Sequence, residues 1–301
     1  MKKILALCLF MALPLLGFSQ ASVLNKQQLL HDIKVLAADS MGGRLSGSEG
    51  NRMAQDYIQK RFKEIGLQAY NGNYAQHFRL ENKQLVVDDA TNLVGFIPGK
   101  SGKAIVMTAH YDHVGVRNGE VYNGADDNAS GVGALLAAAA YFEEHKPEHT
   151  IIFAALDGEE QGLQGAKAFV ANPPVPVQDI LLNVNMDMLS INSKGELYAS
   201  GAYNNPQLKS YLEQIKPRPQ AKLILGHDRP EQQHDDWTNQ SDHYAFFQQH
   251  IPYMYFGVED HPHYHQPSDE YRNVNTIFYP DAAALVIDFV KLMDKNLGKI
   301  K

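Results

Sequence analysis

Three short apolar runs in this chain stop abruptly at acid or imidazole, and that arrangement constrains the fold more than any other feature. Ala104–Ala109 runs into His110-Tyr-Asp112-His113, Thr150–Leu156 into Asp157-Gly-Glu159-Glu160, and Ile180–Met186 into Asp187. Short, nearly continuous apolar runs suit strands buried on both faces of a sheet. Asn92–Ile97 and Ile251–Gly257 read as further strands. Helical patterns lie around them: Asn25–Ala38, with apolar Leu29, Leu30, Ile33, Leu36 and Ala37, and Asn51–Ile65, closed by Gly66. Ser130–His145, Leu163–Ala171 and Pro280–Asn296 also read as helices, and Asp39–Gly50 as a loop rich in Gly and Ser. Strands alternating with helices predict an α/β domain, three-layered α/β/α, around a central mixed, mostly parallel sheet. No repeat or linker divides residues 21–301, so a single domain is expected there.

Composition narrows the chemistry. The net charge of −7 argues against a nucleic-acid partner, which a basic face would serve. One cysteine excludes a disulfide framework, a thiolate zinc site and an iron–sulfur cluster. Lys2 and Lys3 precede an apolar run from Ile4 to Phe18, and small residues follow at Gly17, Ser19 and Ala21. That pattern predicts a signal peptide over residues 1–20 and an exported product, periplasmic or secreted, with no membrane segment after cleavage. Cleavage would remove two Lys and no acid, moving the charge from −7 to −9.

In open α/β sheets ligands gather at the carboxyl ends of the strands, where the acids and imidazoles fall here. Gly124-Ala-Asp126-Asp127-Asn-Ala-Ser130-Gly131 lies just before a helix, and His261-Pro-His263-Tyr264-His265 with Asp269 comes near the end. Taken singly, Asp126 or Asp127 reads equally as a helix cap, Glu159–Glu160 as a solvated helix start and the histidines as an exposed loop. Taken together, converging carboxylates would repel unless cations lay between them. Imidazoles and carboxylates without thiolate suit a divalent metal of the zinc type. No phosphate-binding glycine loop is present, and no G-x-S-x-G elbow supports a serine triad.

At these residues the sequence resembles the M28 family of zinc metallopeptidases, which includes bacterial leucyl aminopeptidases and glutamate carboxypeptidase. The resemblance rests on Ala-Asp-Ser-Met-Gly-Gly-Arg44, Gly-Ser-Glu-Gly50, Ala-His110-Tyr-Asp112-His and Gly-Ala-Asp-Asp127-Asn-Ala-Ser-Gly. It continues through Asp-Gly-Glu159-Glu160-Gln-Gly-Leu, Asn-Met-Asp187-Met, Ser-Asp242-His243 and Tyr264-His265. It implies two zinc ions, one held by His110, Asp127 and Asp187, the other by Asp127, Glu160 and His265, with Asp127 bridging. It implies a cis peptide at Asp127–Asn128, and Asp112 as the group that orients His110. Glu159 would be the general base toward a metal-bridged water, and Tyr264 a candidate donor to the oxyanion. His261 and His263 receive no ligand role, while Asp242 and His243 line the pocket or cap a helix.

The implied activity is that of an aminopeptidase acting on peptide substrates. Glutaminyl cyclase shares the fold with a single zinc, but this sequence keeps the ligands for both ions. A non-catalytic relative of the transferrin-receptor type would have lost ligands, and none is missing. A carboxypeptidase would need basic groups to seat a carboxylate, whereas Arg117 and Arg229 stand isolated. Oligomeric state and side-chain preference leave no mark in the sequence.

Overall fold

The computed structural model describes residues 23–299, so the expected signal peptide lies outside the described residues. α1 (Lys26–Leu36) begins at Asn25, whose side chain accepts the amide of Gln28. α2 (Glu49–Ile65) begins at Ser48, which accepts the amide of Asn51, and stops at Gly66, whose φ of 94° suits a residue without Cβ. The strands β1 (Gln68–Ala69), β2 (Ala75–Glu81), β3 (Val86–Ile97) and β4 (Ser101–His110) follow. A small hairpin, β5 (Val116–Arg117) and β6 (Glu120–Val121), leads to α3 (Gly131–Glu144), β7 (His149–Leu156) and α4 (Gln164–Ala171). The chain continues through β8 (Ile180–Met186), β9 (Glu196–Ser200), α5 (Lys209–Leu212) and β10 (Lys222–Leu225). It closes with α6 (His243–Gln248), β11 (Tyr253–Gly257) and α7 (Phe278–Asn296).

The main sheet runs β1-β3-β7-β4-β8-β11-β9-β10, with β2 also paired to β3. The central quartet β7-β4-β8-β11 is parallel, whereas β3 pairs antiparallel with β7 and β9 antiparallel with β11. Strand periodicity sorts β4 between two cores. Ile105, Met107 and Ala109 pack in the core under α1, α2, α3 and α7, while Ala104 and Val106 join the one under α4 and α6. The fold is therefore the expected three-layer α/β/α arrangement.

The elements not expected from the sequence lie outside that quartet. β2 buries only Leu80 among half-exposed and exposed residues, and β3 starts at Val86 rather than Asn92 because its first half pairs with β2. β9 and β10 are outer strands of five and four residues, too short to stand out from a loop. Among the described residues no helix is long and apolar enough to cross a membrane.

Candidate metal centre

The strand order decides where chemistry collects. β7, β4 and β8 are neighbours, so the residues leaving their carboxyl ends meet on one edge. His110 is the last residue of β4, Asp187 follows β8, and Glu159 and Glu160 follow β7. The turn before α3 adds Asp127, and the loop after β11 adds His265. All five expected metal ligands converge.

His110 Nε2 lies 3.2 Å from Asp187 Oδ1 and 3.4 Å from Asp127 Oδ1. On the other side His265 Nε2 lies 3.0 Å from Asp127 Oδ2 and 3.4 Å from Glu160 Oε1. Asp127 thus turns one oxygen to each group, as a bridging carboxylate must. The peptide bond Asp127–Asn128 is cis, as the resemblance implied. Donor atoms 3.0–3.4 Å apart match neighbouring ligands around one ion at bond lengths of about 2.0–2.2 Å. The residues present therefore fit zinc.

The electrostatics favour positive charge between these groups. Hydrogen bonds to Asp127 and Glu160 push His265 up to about 10. Burial would raise Glu160, but its bonds with His113 and His265 hold it well below the carboxyl range. Glu159 moves the opposite way: burial pushes it well up, against His110, with Asp187 and Glu160 adding to the rise. Two adjacent carboxyls driven apart in this way suit different roles, one ligating and one exchanging a proton.

A match to the model of peptidase family M28 spans residues 92–290. The chain belongs to peptidase family M28. It is 26% identical over 179 residues to the alkaline phosphatase isozyme conversion protein of Escherichia coli (strain K12), a match covering 55% of this chain and 51% of that one. The chain thus spans about half the length of that relative, and 18% of a vacuolar membrane protease from Lodderomyces elongisporus. The fold matches a leucine aminopeptidase precursor from Bacteroides thetaiotaomicron with a TM-score of 0.70 at 16% identity, covering 89% of this chain and 97% of that one. It matches Porphyromonas gingivalis glutaminyl cyclase equally well, with a TM-score of 0.71 at 17% identity and coverages of 90% and 99%. Fold alone therefore does not separate hydrolase from cyclase.

Within this M28 centre a buried scaffold holds these side chains. Asn183 donates to Thr108, Thr108 to Asn185, Asn185 to Ser241, and Ser241 to Asp187 Oδ2 at 2.7 Å. This one-way chain leaves Asp187 Oδ1 facing His110. Asp269 accepts the amides of Asp126 and Asp127 at 2.9 and 3.0 Å, one on each oxygen. His261 lies 2.9 Å from Asp126 Oδ2 and His263 Nδ1 2.9 Å from Ser268 Oγ, so neither ring faces the metal position. Arg44 is fully buried and donates to the carbonyls of Leu36, Tyr111, Asn123 and Gly124. Burial lowers it to about 10, opposed by Asp127, Asp269, Asp112 and Glu160, so it remains a fixed cation among these acids. Gly124 and Gly131 are required by close approach: a Cβ on the first would collide with the Asp127 carbonyl, one on the second with Asn128 Oδ1.

Asp112 departs from the expectation in detail. Its carboxylate accepts the amides of Glu159 and Glu160 at 3.1 and 3.4 Å, and its Oδ1 stands 3.7 Å from His110 Nδ1. The nearer group to that imidazole is the Asp112 backbone carbonyl, at 3.2 Å. Asp112 thus positions the Glu159–Glu160 backbone first. Asp242 and His243 are fully buried at the start of α6, and neither oxygen of Asp242 has a hydrogen-bond partner. Burial pushes Asp242 up to about 8. Asp242 makes no side-chain cap.

The cleft over the centre encloses about 70 Å³ and is lined by Asp127, Glu160, Asp187 and His265 together with Glu159, Met188, Trp237, Gln240, Tyr255, Val258, Asp260 and Tyr264. Trp237 is clamped by a parallel stack on His227, ring centroids 3.8 Å apart. Tyr264 stacks on His265 at 4.1 Å, and burial pushes its hydroxyl far above the ordinary value, keeping it a neutral donor. His113, Arg44 and Asp269 received no role from the sequence. Their signal was adjacency: each stands beside a motif acid in the chain or within a motif of its own.

Proposed function

We propose that the chain is an exported aminopeptidase with two zinc ions, Asp127 bridging the His110–Asp187 and Glu160–His265 pairs. The observation that carries this reading is the division of the Asp127 oxygens between the two groups. Zinc held there would polarise the scissile carbonyl and acidify a water. Glu159, next to Glu160 in the chain and on the cleft wall, takes the proton of the attacking water and passes it to the leaving amine. Tyr264 donates to the oxyanion from the cleft wall.

The lining supports an amino-terminal end in the cleft. Asp260 stands on the cleft wall within reach of an α-ammonium, and among the described residues lining the cleft there is no Lys or Arg to seat a carboxylate. Arg117 and Arg229 instead lie over the rings of Tyr122 and Tyr203. The complete donor set for a second ion favours hydrolysis over cyclisation. Residues 1–20 serve as the export signal, and the mature chain acts on peptides as one domain.

The test is mass spectrometry of free-amine, N-acetylated and Gln-starting peptides incubated with the purified mature protein, with and without chelator. Stepwise loss of N-terminal residues from free-amine peptides alone, abolished by chelator, is the expected result. Loss of ammonia alone from the Gln peptides would replace this reading with a cyclase.

A further inference from the structure

His113 is fully buried beside the centre, with Nδ1 2.8 Å from Glu160 Oε1 and 3.6 Å from Asp127 Oδ2. Its Nε2 is buried without a hydrogen-bond partner. A neutral imidazole carries one N–H, and its two possible positions have different consequences here. With the hydrogen on Nδ1, it is donated to Glu160 and Nε2 keeps only an unused lone pair. With the hydrogen on Nε2, a buried N–H lacks an acceptor and the Nδ1 lone pair confronts a carboxylate oxygen. Orphaned buried N–H groups are the rarer and costlier of these defects. The second arrangement would be relieved only by a cation between Nδ1 and Oε1, which would make His113 a ligand.

Ligating imidazoles, however, anchor their distal nitrogen. His110 does so, with Nδ1 3.2 Å from the Asp112 carbonyl, whereas His113 has nothing at Nε2. We propose that His113 is a positioning residue whose Nδ1–H is donated to Glu160 Oε1, the oxygen that also faces His265, and so holds that carboxylate in place for the ion shared with Asp127 and His265. The inference rests on Glu160 being a metal ligand. The backbone leaves room for the ring at one point, Gly124, where φ is +57° and a Cβ would strike the imidazole. Fixing the carboxylate removes the rotamer freedom that ordering it around an ion would otherwise cost.

The test measures metal affinity rather than turnover. Zinc would be titrated against a chromophoric chelator for the wild-type protein, His113→Leu and His113→Asn. Asn places its amide nitrogen where His carries Nδ1, so it keeps the donor, and Leu does not. His113→Leu is expected to weaken one of two zinc ions about 10–100-fold and leave the other unchanged, with His113→Asn recovering most of the loss. Should His113→Leu fail to fold, zinc-edge X-ray absorption of the zinc-loaded wild-type protein decides: imidazole ligation should average one ring per ion. An average of one and a half rings per ion, or an Asn variant no better than Leu, would overturn the proposal. Failure of the wild-type protein to bind zinc at all would instead defeat the two-metal reading on which it rests.

Discussion

The two halves of the metal centre use the same donors and hold them by different means. His110 and Asp187 stand at the ends of adjacent hydrogen-bonded strands, and the His110 side chain is 1% exposed. Glu160 and His265 stand on loops, and the His265 side chain is 38% exposed with its backbone at φ 51°. The first half inherits its geometry from the sheet. The second is assembled by carboxylates that accept backbone amides: Asp112 under Glu159–Glu160, and Asp269 between the His265 loop and the Asp126–Asp127 turn. Ligand position is set by strand register where the sheet reaches and by buried hydrogen bonds where it does not.

Asp127, the proposed bridge, breaks this comparison most completely, because one of its oxygens faces each half. Asp127→Asn keeps the shape but halves the charge-bearing oxygens, and should weaken both ions by ~100-fold or more and abolish peptidase activity. Equilibrium dialysis with metal analysis checks it, and loss of one ion alone would mean that Asp127 does not bridge. Glu159→Gln should leave both ions bound while turnover falls about 10²–10⁴-fold, the usual contribution of a positioned proton acceptor. Retained turnover in that variant would remove Glu159 as the base.

The difference between the halves also explains what the sequence makes legible. Apolar runs ending in His110, Glu159–Glu160 and Asp187 are visible because a two-sided-buried strand tolerates few polar residues before its end. The exception sharpens the point: Asn183 and Asn185 sit inside β8, yet they belong to the hydrogen-bond chain that ends on Asp187. Asp269 and Arg44 are not readable as scaffold from spacing, because all but one of the partners named above lie far along the chain, 143 residues away for the Asp126 amide and 80 for the Gly124 carbonyl. The cleft wall is equally opaque. Trp237 is placed by stacking on His227 and by edge contacts with Tyr198 and Tyr255, and no local period encodes such contacts.

Asp269→Ala attacks the loop-built half. It leaves two buried amides without acceptors, which at about 1–3 kcal/mol each should lower unfolding stability by roughly 3 kcal/mol. It should also release the His265-side ion at lower chelator concentration than the His110-side ion. Differential scanning calorimetry and stepwise chelation read the two effects separately. Equal release of both ions would show that Asp269 supports the centre as a whole.

The smallest expected effect concerns Asp157, which follows β7 just before Glu159. It accepts from Ser46, Asn51 and the Thr91 amide, yet burial, with Asp112 adding to it, pushes its carboxyl up to about 7. An unfolded chain would titrate it near 3.9. The folded protein therefore holds this proton more tightly, and the associated stability is fully present below about pH 4. It is lost as pH rises through 7, and is constant above. Glu160, held low by His113 and His265, has the opposite sign: its contribution is present above the ordinary carboxyl value and disappears in acid. Asp157→Asn cannot ionise, although its amide nitrogen meets the Thr91 N–H and adds a fixed cost at every pH. Urea unfolding of both proteins from pH 5 to 8 should show the wild type losing stability relative to the variant up to about 7, then running parallel. Curves parallel throughout would mean that Asp157 stays ionised, with its three donors outweighing burial.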